Sequence, residues 1–477
     1  MKFSGDVQRD AEVLRRKFGP SADIVMREML CSGRKVYAFM LDGMCDEIKI
    51  TEGIIKPVTD MAFENTSLSF NDYIKTVIFK SVNVRTADTV EKTASDIVSG
   101  NLILIADHET EALSFPVQGF PKKNPGEPQA EQNERGSQEA FTDNFKDNVT
   151  LLRRRLRTPE LVIEQLTAGT LSNTPVLLCY LSDRVNKEIL EKIRKKISKI
   201  KLEAITGSGY VRPFLDSPRP SLFSDTGFTE RPDRFSSMLT EGRIGIIVDG
   251  SPFALIVPWL FIDYFHTVDD YLSSPYYALF MRILRLTCFI IASALPGTFV
   301  AVCIFHPEIM PADIMYGIAA ATGKTPFPIM VEALTIHFIY EIVREAGLRM
   351  PRSVGHAVSI VGALVIGDAA VTAGLIAAPM LIVVALTAIS SSVISGLHEP
   401  VAILRFAFII IGGFTGLYGV MLGAGLMLID ICSVSPYGVP FSAPLSPFIK
   451  GAQGDAVLRK DHRKAEKDKF LTGRMKF

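Results

Sequence analysis

The chain has no net charge: 51 lysine and arginine residues balance 51 aspartates and glutamates. Its six cysteines (Cys31, Cys45, Cys179, Cys288, Cys303, Cys432) form no CxxC pair, which excludes a zinc or disulfide framework and leaves them as buried thiols. The N-terminus, MKFSGDVQRDAEVLRRKFG, has no apolar core and is not a secretory signal, so the front half is expected in the cytoplasm. There is no Ser/His/Asp elbow, no HExxH and no zinc spacing, so neither an enzyme nor a cofactor is expected. GIAAATGKT (317–325) is not a phosphate loop: Gly317 and Gly323 are one residue too far apart and Pro326 follows. No aromatics alternate with the basic runs at 153–155 and 192–199, which argues against nucleic acid and for solvated helix faces or a basic collar at anionic lipid.

What is present is unevenly spread. Charge is concentrated in the first 240 residues and the last 27, and the stretch between is apolar. The change falls at RIGIIVDGSPFALIVPWLFIDYF (243–265), long enough for a hydrocarbon core of about 30 Å. It carries Asp249, Gly250, Pro252 and Pro258, so at this entry to the membrane the backbone is expected to bend, re-enter or pack against other protein, and not to form a plain span.

Before it, the spacing predicts α/β structure. DAEVLRRKFG reads as a helix, DIVMREML and KVYAFML as strands, and LILIAD (102–107) as another strand. Residues 116–148 lack apolar periodicity and read as a flexible linker or mobile loop. LLRRRLRTPELVIEQL, PVLLCYL and the striped helix from Asn186 to Ile200 then repeat the earlier pattern, predicting a duplicated helix-strand-strand-helix unit. The expected domains are α/β subdomain 1 (1–115), the linker, α/β subdomain 2 (149–228), a helical membrane domain (229–445) and a basic tail (446–477).

The membrane domain offers segments near 244–265, 283–305, 327–343, 354–376, 378–397 and 402–432. After Gly451 eight basic residues face four acidic ones, which places the tail in the cytoplasm with the front half and makes the number of crossings even. Four or six remain open, since the basic positions Arg344, Arg349 and Arg352 fit neither count cleanly. At 100° per residue His337, Glu341, Arg344 and Glu345 share a stripe, predicting an amphipathic helix at an interface or facing a wet cavity. Together with Asp249, His337, Glu341 and Arg344 are the candidate polar membrane residues. The small-residue helix that follows supplies candidate pore or gating positions: Ser359, Val361, Gly362, Val365 and the carboxylate of Asp368.

ERPDR (230–234), VDGSPFALIVP (248–258), FHPE (305–308), EALTIHFIYEIVREAGLRMPR (332–352), AVSIVGALVIGDAAV (357–371) and YGVPF (437–441) together resemble the A subunit of GerA-type spore germinant receptors, over roughly residues 136–445. The stage V sporulation AF protein is a close paralogue of that family, and the residues do not separate the two. The resemblance implies the inner membrane of a bacterial spore, a B-type transporter-like subunit and a C-type lipoprotein as partners, and a homo-oligomer that releases ions when nutrients activate it. Two readings of another class stand beside it, a secondary transporter and a membrane scaffold. The apolar half shows no inverted repeat of the kind transporters carry, and a scaffold has no need of carboxylates in lipid.

Overall fold

The structure is a computed structural model that describes residues 1–63, 68–79, 84–119, 126–350 and 367–448. Helix α1 (Val7–Lys17) is capped by the Asp6 carboxylate and buries Leu14. Strands β1 (Ile24–Cys31) and β2 (Arg34–Leu41) pair antiparallel, with Cys31 opposite Arg34. Ser32 and Gly33 both have positive φ, as a tight two-residue hairpin requires. The short β3 (Arg85–Ala87), helix α2 (Val90–Val98), β4 (Asn101–Ala106) and β5 (Ala112–Pro116) complete an antiparallel sheet in the order β1-β2-β4-β5-β3.

The second subdomain repeats this plan in full. Helix α3 (Phe145–Arg155) leads into β6 (Leu161–Ala168) and β7 (Thr174–Leu181), followed by α4 (Lys187–Ser198) and α5 (Ser208–Leu215). Then come β8 (Gly227–Thr229), α6 (Pro232–Thr240), β9 (Ile244–Val248) and β10 (Ala254–Val257). The order is β6-β7-β9-β10-β8, again antiparallel throughout. The two sheets thus share one strand order, strand for strand.

This corrects the reading of residues 244–265 as a membrane segment. They supply β9 and β10, and every residue of both strands is buried. Ile244, Ile246 and Val248 pack into the core beneath α4 and α5, while Ile247 and Ile256 pack into the core on the opposite face, with Phe235 of α6 and Leu152 of α3. A strand covered on both faces reads as a continuous apolar run, as a membrane segment does. The second subdomain therefore extends past residue 228, through β10.

The linker is also held. Residues 126–144 form no helix or strand, yet the amide of Glu131 donates to Glu230 (2.8 Å), Phe141 N donates to the Glu230 carbonyl (2.7 Å), and Arg231 Nη2 donates to the Ser137 carbonyl (2.9 Å). The basic run of α3 is likewise not a solvated face. Arg153 is fully buried against Asp23 of the first subdomain, and Arg155 pairs with Glu139 at 2.8 Å.

Beyond α7 (Val268–Leu272), the described residues include the longer helices α8 (Pro275–Phe305), α9 (Ala312–Thr322), α10 (Ile329–Arg349), α11 (Ala378–Val393) and α12 (His398–Ser433). Among the described residues, α8 and α12 are long and apolar enough to cross a bilayer. Helix α12 is a hairpin: Gly416 has φ 66° and ψ −157°, and a Cβ on Gly423 would lie 3.0 Å from Phe408 Cε1. In a straight helix those residues would be roughly 22 Å apart along the axis. Each arm is about 27 Å long, which explains why the last apolar run exceeds one bilayer. Cys432 is exposed, against the expectation of a buried thiol. The 354–376 segment is described only from Gly367, and of the tail only 446–448 is described.

Candidate functional site

The α/β domain meets the helices through a joint. Arg243, at the start of β9, is buried and its Nη2 donates to Asp263 Oδ1 at 3.0 Å. Burial alone would raise the Asp263 acid, but the Arg243 charge and its hydrogen bonds hold it below the usual carboxylate range. One turn on, Asp270 accepts from Arg285 Nη1 (2.8 Å) and lies 3.4 Å from Arg282 Nε, so the first turns of α8 are fastened to the segment leaving the sheet. Around this seam the rings of Phe223, Phe261, Phe265, Phe289 and Phe441 pack at centroid separations of 5.2 to 6.4 Å. The head and the helices are thus in direct side-chain contact.

Inside the helices the polar residues converge on Glu341. Its Oε1 lies 3.1 Å from Arg405 Nη1, its Oε2 accepts from Arg344 Nε at 2.8 Å, and His398 Nε2 lies 3.7 Å from Oε2. Arg405 is fully buried, and its Nε donates to the Ala292 carbonyl of α8 at 3.1 Å. That carbonyl is available because Pro296, four residues on, has no N–H to offer it. One turn before Glu341, His337 is fully buried with neither ring nitrogen hydrogen-bonded among the described residues. Glu332, also buried, accepts the Ala377 amide at the start of α11.

The outer face of α10 reverses the pattern of a water-soluble helix. Phe338 is 61% exposed and Ile342 54%, while His337 and Glu332 are buried. Glu332, His337 and Glu341 therefore face neighbouring helices, Arg344 and the exposed Glu345 line a polar cavity at the C-terminal end, and the apolar side faces outward.

Of the residues singled out from sequence, His337, Glu341 and Arg344 come together here. Asp249 does not: it sits in the turn between β9 and β10, where its carboxylate accepts the Phe145 amide at the start of α3 (3.4 Å). Asp368 is exposed. Ser359, Val361, Gly362 and Val365 lie outside the described residues. Sequence reasoning missed Arg405, His398 and Glu332. A lone guanidinium inside the 402–432 apolar run was the available signal for Arg405. Among the described residues no group of three or more His, Cys, Asp or Glu is placed to hold a metal.

The Bacillus/Clostridium GerA spore germination protein family model matches residues 12–470. The chain belongs to this family. Relatives within and near GerA include spore germination protein KA of Bacillus subtilis (strain 168), 36% identical over 96% of this chain and 85% of that protein. An uncharacterized membrane protein, YfkQ, of the same organism is 34% identical over 88% of this chain and 83% of its own length. Among solved structures, the N-terminal domain of the A subunit of the Bacillus megaterium spore germinant receptor GerK3 is similar at 28% identity and a TM-score of 0.43, covering 55% of this chain and 98% of that one.

Proposed function

We propose that this GerA chain is an A-type subunit of a spore germinant receptor, built as an α/β head on a membrane-spanning helical body that conducts ions as a homo-oligomer. The observation that carries the membrane reading is the reversed α10, with Glu332 and His337 inside and Phe338 and Ile342 outside. Side-chain contacts give the helices a direction. The end of α8 at Phe305 lies by the Gly416 bend, as does the start of α10, since Met330 meets Gly413. His398, Val434 and the Arg344 end of α10 instead line a cavity with residues of the head. With each arm of α12 counted once and the 354–376 segment as a crossing, this reading has six spans and leaves both termini on the head side, in the cytoplasm.

On this reading the head passes its state to the helices through Arg243–Asp263, Asp270–Arg285 and the phenylalanine seam. Ser359, Val361, Gly362, Val365 and Asp368 are the proposed pore residues, and a B-type membrane subunit and a C-type lipoprotein are the proposed partners. The test is cation efflux from liposomes holding the full chain, alone and with the partner subunits. Efflux abolished by Gly362→Leu supports conduction by this subunit; no efflux from a correctly inserted oligomer, with or without partners, removes ion conduction from the reading.

A further inference from the structure

Two cavities meet on the segment Pro220–Phe223. One is an apolar cleft of about 430 Å³ between the two arms of α12, walled by Leu404, Ala407 and Ile411 on one arm and Leu426 and Met427 on the other. The second is a polar cavity of about 820 Å³ where the head meets the helices, lined by Arg212, Arg219 and Arg344 and by Asp216, Asp225, Glu345 and Glu399. Both are lined by Pro220, Ser221, Leu222 and Phe223, so the apolar cleft and the polar chamber adjoin along this segment.

The charges in the chamber are of both signs and incompletely matched. Arg212 Nε donates to the Ser224 hydroxyl at 3.0 Å and its guanidinium lies over the Phe228 ring, but it pairs with no carboxylate among the described residues. Arg219 Nη1 donates to the Ser433 carbonyl at the end of α12 (3.1 Å) and likewise has no carboxylate partner there. Glu399, at the start of α12, lines the same chamber and is in no ion pair among the described residues. A single-sign ligand would leave one of these sets unanswered; a zwitterion answers both.

We propose that this joined site holds one phospholipid with a zwitterionic aminoethyl-phosphate headgroup, its phosphate on Arg212 and Arg219, its ammonium toward Glu399, and an acyl chain in the α12 cleft. The location agrees with the chemistry. The polar chamber is at the head end of the helices, where headgroups lie if the helices span a bilayer, and the cleft runs from there along the hairpin. An arginine pair binds phosphate in a fixed geometry, and an apolar cleft between helices supplies the surface an acyl chain covers. The proposal rests on the membrane reading above and adds a lipid as a bound component that ties the head to the hairpin.

The test uses the full chain. Membranes carrying it are first washed with alkaline carbonate; release of the chain would overturn the membrane reading itself. Retained protein is then purified, stripped of lipid in detergent, and titrated with phosphatidylethanolamine, phosphatidylglycerol or glycerophosphoethanolamine under native mass spectrometry. The proposal expects one phosphatidylethanolamine per chain, bound at least about tenfold more weakly by Arg219→Ala, whose side chain lies at the surface, and by Ala407→Trp, which fills the cleft. Equal binding of phosphatidylglycerol overturns the zwitterion match, and equal binding of glycerophosphoethanolamine overturns the acyl-chain cleft. Absence of any lipid adduct from carbonate-resistant protein overturns the site and leaves the membrane reading standing.

Discussion

Asp23 and Arg153 face each other across the seam between the two α/β subdomains, Oδ2 lying 2.7 Å from Nε and Oδ1 3.0 Å from Nη2. Arg153 Nη2 also donates to the Ser21 hydroxyl (3.0 Å), and Ala22 N donates to the Ile163 carbonyl (2.8 Å), so the two repeats are joined by a buried, bidentate pair set in backbone contacts. Removing either partner strands a buried charge, which costs about 3–5 kcal/mol. Arg153→Met and Asp23→Asn are each expected to lower the thermal midpoint of the head. In the double variant much of that loss is expected to return, because no charge is left unpaired. Midpoints that simply add would show that the pair is not coupled.

Much of the head was legible by period. Helix α1, strands β1, β2, β4, β6 and β7 and helix α4 all fall where helical spacing or a short apolar run puts them, and the first half of the duplication was visible in the helix-strand-strand order. The rest was hidden by burial. Strand β9 is covered on both faces and so resembled lipid-embedded chain. Carrying the repeat further would have corrected this, because LILIADHETEALSFP (102–116) aligns with IGIIVDGSPFALIVP (244–258) and makes Asp249 a turn residue. The cluster around Glu341 was legible only along α10. Its partners Arg405 and His398 lie some 60 residues later and meet it where the first arm of α12 packs against α10, which no local spacing encodes.

Gly297 of α8 and Gly412 of α12 bring two helix backbones together: a Cβ on Gly412 would lie 2.3 Å from the Gly297 carbonyl oxygen, and one on Gly297 would lie 2.3 Å from that of Phe408. Backbone cannot give way as a flexible side chain can, so Gly297→Ala or Gly412→Ala must push the helices apart at a cost of roughly 1–3 kcal/mol. Each is expected to lower the melting temperature of detergent-solubilised protein, and Gly425→Ala, where nothing lies within 4 Å, is the control expected to leave it unchanged.

The pH dependence of the head's stability carries two opposed limbs. Burial raises the Asp225 acid from 3.8 to about 6, despite its hydrogen bonds from Ser217. The folded state therefore binds the extra proton, and this contribution is full below about 3.8 and lost as pH rises through 6. Asp263 and Asp270 are held below the ordinary value, so theirs is full above it and lost as pH falls through the lowered values. Stability should rise, by about 1 kcal/mol, from pH 7 to 5 and decline in stronger acid. Asp225→Asn is expected to flatten the upper limb alone, as read from denaturant midpoints across the range.

Glu341 and Arg405 lie 3.1 Å apart between α10 and the first arm of α12. Arg405 holds three things at once: the Glu341 carboxylate, the Ala292 carbonyl that Pro296 leaves unpaired, and the face of the Tyr340 ring, 5.5 Å away. Arg405→Lys keeps the charge but has a single donor centre, so it cannot span both oxygens with the fork that guanidinium provides. It is expected to destabilise the helical body less than Arg405→Ala, which leaves both acceptors without their donor and should cost about 3 kcal/mol or more. Glu341→Gln keeps one acceptor toward Arg405 but removes the charge shared with Arg344 and His398, and should fall between the two. Thermal midpoints of the three variants in one detergent give that order if the cluster locks the two helices. If Arg405→Ala and Arg405→Lys melt together, the guanidinium's second contact contributes nothing, and the cluster does not hold α8, α10 and α12 in register.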